Sequence, residues 1–183
     1  MIKSKTEYRN YILADANSMG VQEKTLLRKL KVYYFNPRWR FIKLLRKVEL
    51  YKNSGTLIGK IFYIIYWYKY KKLGLKLGFS IPPNVCGPGL SLPHYGTLVI
   101  SNEAKIGRNA RIHICVNIGA SNGGAPNIGD NVYIGPGAKI FGDISLGNNV
   151  KIGANAVINK SFDEDNIVLA GIPAKIVKKL TMS

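Results

Sequence analysis

Cysteine and histidine are the scarcest reactive residues in this chain of 183: there are two of each. Cys86 and Cys115 offer neither a disulfide framework nor zinc spacing, which fits a reducing compartment, and both read as hydrophobes lining the interior. His94 and His113 fall one short of a three-histidine zinc site, so no metal is expected. Long apolar runs are missing too. None reaches the ~18 residues that a membrane-spanning helix needs. The opening MIKSKTEYRNYILAD lacks the apolar core of a secretory leader, so a cytoplasmic location is expected. There is no Gly-x-x-x-x-Gly-Lys-Ser/Thr loop and no Gly-x-Ser-x-Gly elbow. P-loop chemistry and a hydrolase serine are thereby excluded.

Acidic residues are few, 10 against 27 lysines and arginines, for a net charge of +17. The imbalance is local. Residues 1–80 hold 18 basic and 4 acidic side chains, residues 81–183 hold 9 and 6. Nothing in the basic front matches a nucleic-acid motif, so nucleic acid is not an expected partner and solvated helices are the default reading.

What is abundant is a period of six. Ile100, Ile106, Ile112 and Ile118 are six apart, and Ile128, Ile134, Ile140, Leu146, Ile152 and Ile158 resume the count. Small residues follow four places later (Ala104, Ala110, Val116, Val132, Ala138, Val150, Ala156), and glycine often follows directly. Neither the 3.6 spacing of a helix nor the alternation of a simple strand explains this. A fixed short repeat means stacked units that cannot bury their apolar faces alone. Three sides of six residues close one coil, and coils stack at about 4.8 Å. The expected columns are Leu92-Ile112-Ile134-Ile152, Ile100-Ile118-Ile140-Ile158 and Ile106-Ile128-Leu146. The fold class expected is mainly β, a three-sided parallel β-helix at 77–183 with a C-terminal tail, behind a short basic α-helical region at 1–76.

In that front, 4–16 and 21–34 read as helices. Asn36-Pro37 starts a third, which Asn53-Ser54-Gly55 ends. Its apolar face is Phe41, Leu44, Leu45 and Val48, with Arg40, Lys43, Arg46 and Lys47 around the other side. A fourth helix, 56–72, combines Phe62, Tyr63, Tyr66, Trp67, Tyr68 and Tyr70 with Lys69, Lys71 and Lys72. Packing against the prism or another subunit is its default reading. Peripheral contact with an anionic membrane is the alternative.

The repeat breaks twice. Ser80, Cys86 and Leu92 read as an earlier coil, but Leu92 to Ile100 is eight residues, and His94 sits in the excess. Ile118 to Ile128 is ten, so Ser121-Asn122-Gly123-Gly124-Ala125-Pro126 leaves the shaft as a loop, and the register is expected to close without it. Irregularity in a regular scaffold is where a site is sought. His94 and His113 fall on the same side of neighbouring coils, about 5–10 Å apart. An imidazole near its ordinary pKa is suited to take a proton from a hydroxyl, which makes His94 the candidate base. For His113 both packing and substrate contact stay open; with Tyr95 and Asn117 it completes the substrate-binding candidates.

The repeat, His94, the 121–126 loop and Ala170-Gly171-Ile172-Pro173-Ala174-Lys175 together resemble the hexapeptide-repeat acyltransferases over residues 79–179. Within them the chain is most similar to the serine acetyltransferase branch, which includes relatives that O-acetylate sugars of capsules and exopolysaccharides. The resemblance implies a left-handed β-helix, a homotrimer, and acetyl-CoA as co-substrate in the groove between prisms. It implies His94 as general base in Leu92-Pro93-His94-Tyr95-Gly96. Cofactor contacts carry over to Ala120, Ser121, Pro136, Ala138, Lys151 and Ala154, with Lys151, Lys175 and Lys178 for the phosphates.

The departures shape the acceptor expected. Phe79-Ser80 and Pro93 stand where the branch has aspartates, and Gly124-Ala125 stands where it has an Arg-His pair that grips serine. With no placed cation evident, a saccharide hydroxyl is the expected acceptor, in polysaccharide biosynthesis. Serine, for cysteine biosynthesis, is the alternative, as is a non-catalytic trimeric scaffold or membrane-docking protein. The helical front is a candidate surface for a larger assembly.

Overall fold

The computed structural model describes residues 1–22, 25–121 and 123–181. Helices α1 (Lys5–Ser18), α2 (Leu26–Phe35), α3 (Pro37–Lys52) and α4 (Leu57–Leu77) come first. Residues 23 and 24 of the second expected helix, and Asn122 of the loop, lie outside the described residues. The strands begin with β1 (Phe79–Ser80), β2 (Leu98–Ile100), β3 (Lys105–Ile106), β4 (Arg111–Ile112), β5 (Asn117–Gly119) and β6 (Asn127–Ile128). They continue with β7 (Tyr133–Ile134), β8 (Lys139–Phe141), β9 (Ser145–Leu146), β10 (Lys151–Ile152), β11 (Val157–Ile158), β12 (Ile167–Gly171) and β13 (Ala174–Lys179).

The strands wind into a three-sided parallel β-helix. One face stacks β1-β2-β5-β8-β11, the second β4-β7-β10-β12, and the third β3-β6-β9. All pairings among these are parallel, in the register that the hexads dictate. Ile112 pairs with Ile134 and Ile134 with Ile152; Ile100, Ile118, Ile140 and Ile158 align; Ile106, Ile128 and Leu146 align. These side chains are almost wholly buried, while their neighbours Lys105, Arg111, Asn117 and Lys151 point outward.

The expected first coil needs one correction. Cys86 and Leu92 hold their register points, but Ser80 is exposed and Ile81, one residue on, is the buried member. A one-residue shift in a strand reverses the face of every side chain, and burial selects the isoleucine. Cys115 is a second correction. It is exposed, with φ of +61° at a corner, whereas Cys86 is buried, and burial pushes that thiol up to about 12.

Asparagines turn the corner between the third and second faces. Asn109, Asn131, Asn149 and Asn166 all have φ between +56° and +60°. A short side chain that bonds locally tolerates this left-handed conformation. Their amides bond up the stack at 2.9–3.0 Å, forming a ladder. Beside them, glycine is needed for close approach: a Cβ on Gly129 would lie 2.6 Å from the Gly147 carbonyl.

At its far end the stack stops being parallel. After the turn at Ile172-Pro173, which is cis, β13 folds back antiparallel on β12 and covers the edge of the second face.

The helical front shares its core with the first coils. Asn36 caps α3 by accepting from the Trp39 amide at 3.1 Å, and Phe41, Leu44, Leu45 and Val48 are buried as the apolar pattern predicts. Arg46, expected on the solvent side, is instead fully buried. All five of its N–H donors are used. Nε and one terminal nitrogen hold Asp15 of α1 at 2.8 and 3.2 Å, and Glu49 lies at 3.0 Å. The Cys86 and Gly87 carbonyls accept at 2.8 and 2.7 Å. Asp15 also accepts from the Gly89 and Leu90 amides, both at 2.8 Å. The network pins α1 and α3 to the first coil.

Helix α4 runs five residues past its expected end because nothing after Lys72 breaks it until Gly78, which caps it at φ +78°. Gly74 lets it pass close to the Phe79 carbonyl, which a Cβ would meet at 2.8 Å. Among the described residues no helix is long and apolar enough to cross a membrane.

Candidate active site

The two-residue excess of the first full coil falls in the corner that joins the second face to the first. Five residues, Pro93 to Thr97, lie between buried Leu92 and Leu98, where the next coil uses three between Ile112 and Val116. The longer turn carries His94 outward, and both it and Tyr95 are exposed. The turn is seated on the end of α4, where the Gly96 amide donates to the Leu77 carbonyl at 2.9 Å. Arg38, near the start of α3, reaches the Leu92 carbonyl at 3.4 Å.

His113 lies on the coil above, its ring centroid 5.9 Å from that of His94 and tilted by 44°. Tyr133 covers its other side at 5.1 Å. His113 Nε2 is buried with no hydrogen-bond partner among the described residues. Its pKa is lowered, first by burial and then by the Arg111 guanidinium and His94. A neutral imidazole beside an exposed one is a pair with distinct capacities. One can exchange a proton with a bound hydroxyl, while the other holds an unfilled hydrogen-bonding position next to it.

Sequence reasoning placed no cation here, yet Arg111 acts on His113 and Arg38 reaches the Leu92 carbonyl, two residues before His94. Arg111 was legible as an outward residue beside Ile112. Arg38 comes from a helix 54 residues earlier in the chain, and no local pattern announces it.

The other expected residues divide among separate places. Pro136 and Ala154 are exposed on the corners stacked beyond His113. Lys151 and Lys178 share one outward row of the second face with Arg111, through the register Arg111–Tyr133–Lys151–Val168–Lys178. Lys175 pairs with Ala170 on the same face. Asn117 is exposed on the first face between Val99 and Lys139. Ala120 and Ser121 occupy that face's other corner, where Ser121 and Gly124 exchange backbone bonds of 3.0 Å at the neck of the loop. Ala138 has its side chain buried in the shaft; its amide donates to the Gly135 carbonyl at 3.4 Å and its carbonyl accepts from Asn117 at 3.0 Å. One prism alone does not join the histidine corner to the loop corner. No cluster of metal-ligating side chains occurs among the described residues.

Comparison with known proteins agrees with this architecture. The family model described as bacterial transferase hexapeptide (six repeats) matches residues 125–160. The structure of serine acetyltransferase from Brucella abortus strain S19 superposes with a TM-score of 0.76 at 26% identity, covering 97% of this chain and 71% of that one. Its complex with coenzyme A gives 0.74 at 25%, covering 98% and 71%. Serine acetyltransferase of Neisseria gonorrhoeae in complex with serine gives 0.72 at 27%, covering 96% and 71%. No curated protein matches the sequence. The hexad columns, the histidine on a lengthened corner with a second on the coil above, and the likeness along nearly the whole chain make this protein similar to the bacterial hexapeptide transferases and, among solved structures, to serine acetyltransferases.

Proposed function

We propose that this chain is an acetyl-CoA-dependent O-acetyltransferase, working as a cytoplasmic homotrimer, with His94 as general base. The observation that carries the reading is the exposed His94 on the lengthened corner between the second and first faces, its ring 5.9 Å from a second imidazole. His94 takes the proton of the acceptor hydroxyl, whose oxygen attacks the thioester carbonyl carbon. The tetrahedral oxyanion collapses, the C–S bond breaks, and the imidazolium returns its proton to the departing thiolate. His113, held neutral, orients the acceptor. A groove between adjacent prisms would bring the loop corner of one protomer to the histidine corner of the next. Acetyl-CoA would lie there against Ala120, Ser121, Pro136 and Ala154, with Lys151, Lys175 and Lys178 as point charges for its phosphates.

L-Serine is the acceptor that the comparisons favour over a saccharide. Arg111, whose charge acts on His113, would supply the positive charge that an amino-acid carboxylate needs. A saccharide hydroxyl is the second reading, supported by the loop: Gly124 packs against the carboxylate of Asp143, which repels an anionic acceptor. A lipid-linked saccharide would also bring the enzyme to the inner membrane surface.

The test is thiol release from acetyl-CoA with L-serine and with a panel of sugars, on the wild type and His94→Ala. The variant should lose at least about 100-fold in turnover while binding acetyl-CoA as before. Turnover that survives the substitution removes His94 from its role. Turnover confined to sugars replaces serine by the second reading, and a chain that neither binds acetyl-CoA nor melts higher in its presence is a scaffold.

A further inference from the structure

Helix α4 has two apolar faces, and the protein uses only one. Tyr70, Leu73 and Leu77 are buried toward α3 and the first coil, with Tyr63 and Tyr66 partly so. On the opposite side Leu57, Ile61, Ile64, Ile65, Tyr68 and Leu75 recur at helical spacing, between 43% and 84% exposed. This second stripe is about 27 Å long at the rise of a helix. Helix α2 repeats the arrangement, with Leu26, Leu27, Leu30, Tyr33 and Tyr34 all exposed. Between the two helices runs a groove of about 390 Å³, lined by Tyr33, Arg40, Tyr68, Lys69, Lys72 and Lys76.

Among the described residues, none of the groove cations forms an ion pair with a carboxylate. From Thr25 to Leu77 the sequence has 14 lysines and arginines and one acid, Glu49, which is buried against Arg46. Helical spacing puts Lys60 and Lys71 along one edge of the α4 stripe and Lys69 and Lys76 along the other. Long basic side chains can lay their stems on apolar surface and lift their charge to its border. An apolar stripe edged by lysines, with tyrosine and tryptophan among them, is the pattern of a helix lying in a bilayer interface.

A second copy of the same face is a poor occupant. Self-pairing would set lysines against lysines, and like charges across an interface are costly.

We propose that the α2–α4 face docks on an anionic lipid bilayer, with its apolar stripes at the acyl boundary and the groove cations on lipid phosphates. The docking does not depend on the acceptor. It has a geometric consequence for it, because the end of α4 carries the turn that holds His94. Docking therefore holds the candidate site close to the membrane surface.

The full chain is sedimented with vesicles of phosphatidylcholine alone and of phosphatidylcholine mixed with phosphatidylglycerol. Binding is expected on the mixed vesicles, weakened by salt, and much less on the neutral ones. The triple variant Lys69→Gln, Lys72→Gln, Lys76→Gln should lower the partition coefficient roughly a hundredfold. Ile61→Ser with Ile64→Ser should lower it as well. All five side chains are exposed, so unchanged melting and circular dichroism will verify the fold. Absence of sedimentation with mixed vesicles overturns the proposal, and a triple variant that binds like the wild type overturns the groove's part in it. If the isoleucine variants shrink the particle in solution and the wild type ignores vesicles, copies of this chain cover the face instead. Thiol release measured without vesicles keeps this result separate from that of the acetyl-transfer reading.

Discussion

At the scale of single residues, the corners decide which side chains the repeat tolerates. The asparagine ladder combines two demands, a positive φ and an amide that bonds the coils on either side. Asn131→Ala meets neither, and should cost about 2 kcal/mol, from left-handed strain and lost hydrogen bonds. Asn131→Gly restores the conformation without the ladder and should cost about half of that. Denaturant unfolding of the two variants separates the terms; equal losses would assign the whole effect to the amide bonds. The ladder stood in the sequence as Gly-x-Asn at 107–109, 129–131 and 147–149. A reading led by the aliphatic hexads passes over it, because the polar positions of a repeat look interchangeable until their backbone angles are known. His94 was legible for the converse reason, being the reactive residue inside a miscounted step.

At the scale of elements, the register settles what the protruding loop can lose. Ile118 to Pro126 spans eight residues where Ile100 to Ala104 and Ile140 to Ile144 span four, so the excess is four residues. The sequence suggested that 121–126 is dispensable, but Pro126 is buried at the corner and its carbonyl accepts from Lys105 at 3.0 Å. Deleting 121–124 joins Ala120 to Ala125 and restores a six-residue step. It should cost less than about 1 kcal/mol, the order of a modest change in loop closure, and leave a folded protein with impaired acetyl transfer. Deleting 121–126 should abolish soluble folded protein, since the register of every later strand slips. Thermal melting and turnover of both deletions check this, and a well-folded longer deletion would refute the assigned register. Helix boundaries were less legible than coil register, as α4 shows. Local sequence marks where a helix starts, but its length depends on what it packs against, here the Phe79 backbone.

For the whole molecule, the buried Arg46 joins helical front and prism into one cooperative body. Its partners lie 31 residues before it and 40 and 41 after it, which is why a pattern confined to α3 assigned it to solvent. Replacing it with methionine leaves Asp15 and Glu49 buried without a counter-charge, and should cost about 3–5 kcal/mol. It should also release α1 to limited proteolysis at temperatures where the prism remains folded. A melting point unchanged in Arg46→Met would show that the three charges contribute little. Most of the architecture was legible because a repeat states its own contacts. The complete site was not, because its proposed walls come from different protomers. The reversal of β13 bears on the solitary prism as well. A stack of parallel strands is a template that another chain can extend indefinitely, and the second face would otherwise end in unpaired amides and carbonyls. By turning back, and by carrying Lys175, Lys178 and Lys179 in its last strand, the chain denies that template to its neighbours and limits polymerisation into fibres.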